Sequence, residues 1–472
     1  MDSFMIWDLG LLGLFVILIS LFLYRNKKSL KKEGLLWLYH TSWGIKIIER
    51  TGKKWRKFLK VSSYVAVWLG YALMGIMVYL FGRLVWIYAF HSEFIKASLH
   101  GLPPVMPLVP YLPQMFKLSF LPPFYFSYWI IILAVIAITH EFFHGIYAAL
   151  AGVKTKTTGF GFFPFFFPVF LAAFVNLDEK AMEKKKNFEQ RAVLAAGTFA
   201  NTLTAILGVI LMFIFFTLTY SPSGIVFDDY AYNVVNVTNI SSINGVPINW
   251  NENQINELQN ISEYKNIEAN GINYYGIKGV DSSSGLVGLY YDAPGINSNL
   301  TGVIQEINGE KITSLDKLSE ELMLYSPGEK INVSTYDGTV KNTIEVTLEE
   351  NPFSEGKSWL GVSFLDNKPN GVFSTISYYT TAYKKTNVYY EPDFLLAKFI
   401  YDLLWWLVLI SFSVALVNML PMGIFDGGRF FYLTILKLTK SQKAAEKSFK
   451  RITQFFLFLL FVIMFFWAKS FF

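Results

Sequence analysis

The sequence predicts a polytopic α-helical membrane protein that carries an inserted soluble α+β domain. Of its 472 residues, 53% are hydrophobic and 18% are aromatic, including 45 Phe and 12 Trp, which is more than a soluble core requires. Six apolar runs are long enough to cross a bilayer, which takes about 20 residues. They lie near residues 7–24, 62–90, 126–151, 192–220, 396–420 and 452–471. A long polar segment, residues 221–395, separates the fourth run from the fifth.

Several classes of protein are excluded or disfavoured by composition. The chain has no cysteine, so disulfides, thiolate metal ligands and cysteine nucleophiles are absent. The net charge of +6 does not indicate a nucleic-acid partner, because the basic residues lie in short loops beside apolar runs. The first apolar run is predicted to be a retained helix, since it lacks the basic segment and the small-residue cleavage site of a signal peptide.

The placement of charge predicts the orientation of the spans. Residues 25–60 hold twelve Lys and Arg against two Glu, and residues 429–451 hold seven against Glu446 alone. Residues 152–191 are also rich in lysine. The positive-inside rule puts these three segments in the cytoplasm, with both termini and residues 221–395 outside.

Glycosylation sequons point to the same topology. Every Asn-x-Ser/Thr sequon lies within residues 221–395, at Asn236, Asn239, Asn260, Asn299 and Asn332. Such sites are modified only on an extracytoplasmic surface, although a segment rich in Asn and Ser also produces sequons by chance. We expect a multi-pass protein of the cell membrane, in a prokaryote and more specifically an archaeon, with residues 221–395 extracytoplasmic.

The polar segment contains two matching stretches. "ISSINGVPI" at 240–248 and "IQEINGEKI" at 304–312 each predict a strand, an Asn-Gly turn and a second strand, followed by a helix. In the second stretch Ser314 is a predicted N-cap, with Leu315, Leu318, Leu322 and Leu324 on the apolar face. Residues from about 290 to 365 resemble a PDZ domain, which binds extended peptides. Residues 225–290 are either a diverged second copy or an extension, and a lid or spacer without ligand is the alternative for the whole segment.

The third apolar run carries three ionisable residues in the motif His140-Glu141-Phe142-Phe143-His144. On a helix, His-Glu-x-x-His puts two imidazoles on one face, where both can bind one zinc ion. The glutamate between them is placed to act as a base towards water. An accidental origin is disfavoured, because a charged residue at the bilayer centre costs about 2.5–3.5 kcal/mol.

A hydrolytic zinc site needs a third protein ligand. The histidines outside the apolar runs are His40, His91 and His100, and the acidic candidates are Asp178, Glu179, Glu183 and Asp426. Asp426 is preferred, because it lies at the cytoplasmic end of a span, at the same depth as the motif. Pro421 and Gly423 interrupt the helix before it, and Gly427 and Gly428 allow close backbone approach. Irregular backbone at membrane depth occurs only where it is buried or lines a cavity.

Together these motifs resemble the site-2 protease family of intramembrane zinc metalloproteases. The motif at 140–144 is followed far downstream by Asn-x-x-Pro-x-x-x-x-Asp-Gly at Asn418, Pro421, Asp426 and Gly427. Gly197 and Asn201 match the Gly-x-x-x-Asn span of the family, with Thr198 where many members have proline. The resemblance covers residues 126–220 and 396–430 as a catalytic core, with residues 1–125 and the last span as additions and 221–395 as the insert.

The resemblance implies a role for each residue of these motifs. It implies that His140, His144 and Asp426 bind zinc and that Glu141 is the general base and acid. Asn418 and Asn201 are amides that can pair with an extended substrate strand, and Pro421 and Gly427 belong to the same predicted substrate site. The segment 157–177 contains Pro164 and Pro168 and many aromatic residues. It is interpreted either as a membrane-embedded hairpin that pairs with substrate or as an apolar loop packed between helices.

The predicted function is zinc-dependent intramembrane cleavage of single-span membrane proteins, as in regulated intramembrane proteolysis. The expected partners are these substrates, the lipid bilayer and an upstream site-1-type protease, without nucleic acid. The alternatives are a catalytically silent adaptor that binds peptide tails and an ion transporter. The first is disfavoured by the intact His, Glu and Asp set, and the second by the single cluster of ionisable residues.

Overall fold

The computed structural model of the chain describes residues 3–34, 36–91, 108–118, 120–162, 171–248, 266–281, 284–364, 375 and 381–469. The chain folds as two compact units. The first consists of Met1–Ile214 and Lys398–Phe472, and the second, the insert, of Phe215–Ala397.

Six helices in the described part of the chain are long and apolar enough to cross a membrane, as the six apolar runs predict. They are α1 (Ser3–Arg25), α3 (Arg56–Phe90), α5 (Phe126–Leu150), α7 (Asn187–Thr219), α10 (Ala397–Asn418) and α12 (Gln442–Lys469). The shorter helices beside them are α2 (Ile45–Lys54), α4 (Leu112–Met115), α6 (Glu179–Glu183) and α11 (Asp426–Thr439). Helices α3, α7 and α12 begin several residues before their apolar runs, so their first turns are polar and suit the membrane surface.

The first unit also contains an antiparallel sheet of four strands in chain order. These are β1 (Leu30–Glu33), β2 (Leu36–Thr41), β3 (Thr155–Phe162) and β4 (Leu171–Leu177). The basic segment 25–60, expected as a loop, therefore supplies half of the sheet. Strands β3 and β4 pair as a hairpin interpretation requires, whereas the connection 163–170, with Pro164 and Pro168, lies outside the described residues. Strand β4 is an edge strand, which matters for the site described below.

Helices α2, α3, α5, α7 and α11 of the first unit share a buried core. Ile48 of α2, Ala66 of α3, Tyr147 of α5, Ala196 of α7 and Phe430 of α11 are among its fully buried members. Apolar side chains at helical spacing face one another here, and their burial holds the helices in fixed positions.

Helix α1 is joined to α5 by a buried carboxylate. The Oδ2 atom of Asp8 accepts hydrogen bonds from the Phe126 backbone N–H and the Tyr111 hydroxyl, both at 2.7 Å. Its Oδ1 atom accepts one from the Ser127 N–H at 3.0 Å. The N-cap residue of α5, Tyr125, has no capping side-chain hydrogen bond of its own. Asp8 therefore caps the helix that carries the His-Glu-x-x-His motif, although it belongs to another helix.

The insert is built largely from antiparallel strands in two six-stranded sheets and two short two-stranded ones. The order in the first large sheet is β7-β12-β11-β10-β8-β9, and in the second it is β16-β15-β13-β5-β20, with β14 paired to β13. The bounds are β5 (Tyr220–Val226), β6 (Asp229–Tyr230), β7 (Tyr232–Asn236), β8 (Ile240–Ile243), β9 (Val246–Pro247), β10 (Ile267–Ala269), β11 (Ile272–Asp281), β12 (Leu286–Tyr291), α8 (Pro294–Asn297), β13 (Val303–Ile307), β14 (Glu310–Lys311), α9 (Leu315–Leu322), β15 (Lys330–Tyr336), β16 (Lys341–Thr347), β17 (Glu349–Glu350), β18 (Ser358–Trp359), β19 (Val362–Ser363) and β20 (Val388–Pro392).

The two matching stretches fold in the same way. Strands β8, β9, β10 and β11 pair with one another as β13, β14, β15 and β16 do. Both Asn-Gly turns have positive φ at each residue, as a type I′ hairpin requires. The N–H of Asn244 donates to the carbonyl of Asn266, just before β10. In the same way, the N–H of Asn308 donates to the carbonyl of Asn332 in β15. The earlier half of the insert therefore repeats the strand arrangement of the later half.

One detail of the predicted helix after the second turn is wrong. Ser314 is the N-cap, as predicted, and its hydroxyl accepts from the Lys317 N–H at 3.1 Å. Leu318 is buried, but Leu324 is 74% exposed. Because the helix ends at Leu322, the helical spacing that placed Leu324 on the apolar face no longer applies.

Candidate metal centre

Three side-chain atoms converge where α5 meets the start of α11. His140 and His144 are four residues apart on α5 and therefore share a face. Their Nε2 atoms lie 3.0 Å apart. The Oδ2 atom of Asp426 lies 3.4 Å from Nε2 of His140 and 3.2 Å from Nε2 of His144. The preferred third residue is thus within contact distance of both imidazoles.

The tautomer of His144 is set by a backbone group of α7. Its Nδ1 atom lies 2.7 Å from the carbonyl oxygen of Val193. A carbonyl only accepts hydrogen bonds, so Nδ1 of the neutral imidazole carries the proton and donates it. Nε2 of His144 therefore presents a lone pair towards His140 and Asp426.

The neighbour of His140 is the amide of Asn201, also on α7. One amide atom lies 3.0 Å from Nδ1 of His140, and the oxygen has no hydrogen-bond partner among the described residues although Asn201 is fully buried. An amide rotation that exchanges nitrogen and oxygen breaks no other hydrogen bond in that part of the chain. With its oxygen towards the ring, Asn201 accepts from the Nδ1–H of His140 and leaves Nε2 free.

This set of atoms fits a zinc ion. Two imidazole nitrogens and a carboxylate oxygen all offer electron pairs, and a cation between them removes their mutual repulsion. Tetrahedral zinc with bonds of about 2.0–2.1 Å separates its ligands by roughly 3.3 Å, close to the distances given above. Two histidines and one carboxylate, with a fourth position open, form a typical catalytic zinc site.

Gly197 makes room for the two imidazoles. A Cβ atom on this residue would lie 2.5 Å from Nε2 of His140 and 2.5 Å from Nε2 of His144. No real Cβ atom approaches so closely, so any side chain here displaces both rings. The glycine of the Gly-x-x-x-Asn pattern is therefore required by the positions of the two imidazole Nε2 atoms.

Asp426 is positioned by a break between two helices. Helix α10 ends at Asn418, and Asp426 is the first residue of α11. Pro421 is buried in the connection. A Cβ atom on Gly427 would lie 2.4 Å from the carbonyl carbon of Met419, so glycine allows the first turn of α11 to lie against the connection. The connection thereby holds the carboxylate of Asp426 beside the histidines.

Glu141 lies between the two histidines and the edge strand β4. Its Oε2 atom accepts a hydrogen bond from the Val175 N–H at 2.9 Å. Its carboxylate and the ring nitrogens of His140 and His144 all lie within 4.8 Å of one another. One carboxylate oxygen is thus held by β4, while the group remains close enough to act at the same centre.

The four predicted substrate-binding residues occupy different surroundings. Asn418 lines a cavity of about 560 Å³ together with apolar residues of α10 and of the segment 108–124, and its amide forms no hydrogen bond with the described residues. Asn201, Pro421 and Gly427 are buried against the protein itself. Asn418 is therefore the one of the four that is available to a ligand, and substrate contact by all four stays a prediction.

The other acidic candidates lie elsewhere. Asp178 caps α6 through the Ala181 N–H and pairs with Lys156 at 3.3 Å. Glu179 and Glu183 are exposed on α6. These three carboxylates make local contacts at the protein surface, and none of them approaches the two histidines.

The remaining histidines also have other neighbours. His40 lies in β2, with Nδ1 3.0 Å from the Thr157 hydroxyl, and His91 packs against Trp86 at the end of α3. His100 lies outside the described residues. Within the described ranges, the group at 140–144 is the one cluster of three His, Asp or Glu side chains arranged to hold a metal ion.

Val193, Val175 and Asp8 help to position the site but are not among the residues predicted from the sequence. Val193 and Val175 act through backbone atoms, which any residue possesses, so their side chains do not reveal the role. Asp8 offered a signal that went unused, because a carboxylate inside the first apolar run carries the same insertion cost as the histidine motif.

The model of Peptidase family M50 matches residues 128–464, more than two thirds of the chain and the whole of the metal centre. A comparison with curated proteins gives no match.

Proposed function

Because the chain belongs to Peptidase family M50, the site-2 protease family, we propose that it is a zinc-dependent intramembrane endopeptidase that cleaves the transmembrane segments of single-span membrane proteins. One observation carries this proposal. The nitrogens of His140 and His144 and a carboxylate oxygen of Asp426 converge beside Glu141, on a helix long and apolar enough to cross a membrane. Such a centre suits hydrolysis of a peptide bond that lies inside the bilayer, where bulk water does not reach it.

Each residue of the centre has a separate task. His140, His144 and Asp426 would hold the metal, and zinc, when bound, supplies polarisation of the scissile carbonyl and a more acidic water. Glu141 takes one proton from the attacking water as the new C–O bond forms. It then gives that proton to the amine nitrogen as the peptide C–N bond breaks. The Val175 N–H orients one oxygen of Glu141 and leaves the other for this transfer.

The substrate is proposed to bind as a strand along β4. A peptide bond inside a helix is shielded by the helical hydrogen bonds, so the segment must unwind, and its freed backbone groups then need partners. The Val175 N–H points away from β3, and because strand residues alternate, the backbone groups of Ala173 also face the free edge. The Val175 N–H is already bound to Glu141, so the backbone groups of Ala173, two residues before it, are the ones that can pair with an added strand.

Asn418 supplies a second contact for an unwound segment. The cavity that it lines has apolar walls from α10, including Trp406 and Ile410, and these suit the side chains of a transmembrane segment. The amide of Asn418 and the hydroxyl of Ser413 are the polar side chains that line the cavity, and the amide can pair with one freed backbone carbonyl or N–H. The cavity thus supports a path for substrate that ends beside the connection to Asp426.

The insert is proposed to be an extracytoplasmic PDZ-like domain that binds peptide tails, such as those left by an upstream protease. A cavity of about 390 Å³ lies between α9 and the segment that contains β19, with Leu318, Leu322 and Val362 among its walls. On its other side β19 pairs with β6. This arrangement offers a strand edge and a helix to an extended peptide. The four described sequon asparagines are exposed, which suits an outer surface.

The test is cleavage of a model single-span protein by the purified chain in lipid vesicles. We expect mass spectrometry to locate the cut inside the apolar segment, and the rate to fall to background when zinc is chelated and to return when zinc is restored. A chain that binds the tail of this substrate without cutting it is a silent adaptor. A cut confined to the soluble part of the substrate would contradict the intramembrane assignment.

A further inference from the structure

A third cavity, of about 380 Å³, lies where the first turns of α3 and α7 meet the end of α5. Arg56 and Lys60 line it from α3, and Lys186 lines it from the residue before α7. Leu150, the last residue of α5, forms part of the floor. None of these residues belongs to the metal centre or to the cavity beside Asn418.

The charge in this cavity is positive. Arg56, Lys60 and Lys186 face a single carboxylate, that of Glu189, and its Oε2 atom already accepts a hydrogen bond from the Lys186 backbone N–H at 3.1 Å. None of the three cations takes part in a salt bridge within the described ranges. Three cations that face one carboxylate leave this concave space positively charged, so it attracts an anion, and guanidinium and ammonium groups both bind phosphate oxygens well.

An apolar surface continues from these cations along α3. Arg56, Lys60, Tyr64 and Trp68 are spaced four residues apart and follow one face of the helix. Tyr64 is 60% exposed and Trp68 is 69% exposed, on a helix apolar enough to cross a membrane. Aromatic side chains of this kind favour the boundary between headgroups and acyl chains. A ligand that contacts the whole column is therefore anionic at one end and apolar at the other.

We propose that this cavity binds the phosphate headgroup of an anionic phospholipid, whose acyl chain follows the face of α3 past Tyr64 and Trp68. A free phosphate ion would use the cations alone and would make no contact with the exposed surfaces of Tyr64 and Trp68. A zwitterionic lipid would bring its own cation beside Arg56 and Lys60, which opposes binding.

The position of the cavity links lipid binding to the metal centre. Tyr147, three residues after His144 on α5, lines the cavity, and so does Ala192, which precedes Val193 on α7. The hydrogen bond from His144 to Val193 joins the same two helices at this level. A headgroup held between α3, α5 and α7 therefore stabilises the helix contact that orients His144.

The test uses native mass spectrometry of the purified full chain with phosphatidylglycerol or phosphatidylcholine added. We expect preferential retention of phosphatidylglycerol and a higher midpoint of thermal unfolding with it. The variant Arg56→Gln/Lys60→Gln/Lys186→Gln should bind it roughly 100-fold more weakly, and Lys60→Gln alone about fivefold more weakly, since each basic residue near an anionic lipid contributes about that factor.

The matched control is Lys53→Gln/Lys57→Gln/Lys184→Gln, which removes three exposed cations outside the cavity and should bind lipid like the wild type. Equal losses in the two triple variants would overturn the proposal in favour of diffuse surface charge. Equal retention of phosphatidylcholine would overturn it in favour of an apolar groove. If an equal concentration of inorganic phosphate displaced phosphatidylglycerol, the proposal would be overturned and the ligand would be a free anion. If the triple variant is unstable, Lys60→Gln alone decides the test. An unchanged affinity of this variant for phosphatidylglycerol would overturn the proposal.

Discussion

At the scale of single residues, the chemistry of the site depends on which nitrogen of each imidazole carries a proton. Val193 and Asn201 on α7 contact Nδ1 of His144 and His140, so both Nε2 atoms point to the metal position. The Val193 carbonyl has two lone pairs and can accept from the imidazole as well as from its helical partner. Groups of this kind fix ring orientation and increase the basicity of a metal ligand.

Asn201→Ala should weaken zinc binding, because Nδ1 of His140 loses its hydrogen-bond partner and the ring loses its fixed orientation. Removing such a partner typically lowers metal affinity about 10–100-fold. Titration against a zinc-binding dye measures the effect. Asn201→Asp keeps an oxygen in place to accept from Nδ1, so it should retain more of the affinity than Asn201→Ala. Equal losses in the two variants would show that Asn201 acts through packing alone.

At the scale of elements, the helix that carries the motif is capped from α1 rather than by its own residues. Asp8 holds the first two N–H groups of α5 and the Tyr111 hydroxyl. The Phe126 N–H and the Tyr111 hydroxyl are buried, so water cannot replace the carboxylate at these two groups when it is removed. Helix α1, which the sequence presents as an addition to the catalytic core, is thus tied directly to it.

Asp8→Ala should destabilise the protein by about 3 kcal/mol, because three donors lose a charged acceptor and at least two of them stay buried. The midpoint of thermal unfolding of the purified protein should fall accordingly. Asp8→Asn keeps one acceptor oxygen and should fall between the wild type and Asp8→Ala. An unchanged midpoint in Asp8→Ala would mean that the cap does not stabilise the fold.

Strand β4 is the second element to consider, because substrate is proposed to pair with its free edge. Ala173→Pro removes an N–H from its free edge without removing a hydrogen bond to β3, and proline is tolerated on edge strands. Cleavage should slow about tenfold, the loss of roughly one hydrogen bond in a dry site, while zinc content stays at the wild-type level. Ala173→Ser keeps the N–H and serves as the control. A cleavage rate that is equal in the two variants would argue against substrate pairing at this edge.

At the scale of the whole molecule, the insert interrupts a chain whose two flanking helices both carry residues of the first unit's site. Asn201 lies on α7 before the insert, and Asn418 lies on α10 after it. Strands β5 and β20 pair antiparallel, with Ile225 opposite Val388, so the two ends of the insert are neighbours. A short turn can therefore replace everything between these strands.

Replacement of residues 227–386 by a short Gly-Ser turn should leave zinc binding intact, because no residue of the metal centre is removed. If the insert restricts access by its bulk, this variant should cut substrates that still carry a large ectodomain and cut trimmed substrates at a comparable rate. Paired cleavage assays on trimmed and untrimmed forms of one substrate measure this. Slower cleavage of the trimmed form alone would identify the insert as a receptor for the new terminus.

Much of this organisation can be predicted from the sequence, because ionisable residues in apolar surroundings are conspicuous. His140, Glu141 and His144 stand out in this way, and the helix break marks Asp426. Strands β1 and β2 could not be predicted by the same reasoning, since the lysines of β1 suggest a solvated loop while the place of β2 in the sheet depends on its pairing with β3. The partners of His144 and Glu141 were equally inaccessible, because they are backbone atoms of distant segments brought close by helix packing.

The most direct test of the central claim is to measure zinc content and cleavage together in three variants. Glu141→Gln should keep zinc at the wild-type level and lose cleavage, because the glutamate moves a proton and is not a ligand. Asp426→Ala should lose both zinc and cleavage, whereas Glu179→Ala, which removes an exposed carboxylate outside the cluster, should keep both. Two results would contradict the account. One is full zinc content and full cleavage in Asp426→Ala, and the other is cleavage at the wild-type rate in Glu141→Gln.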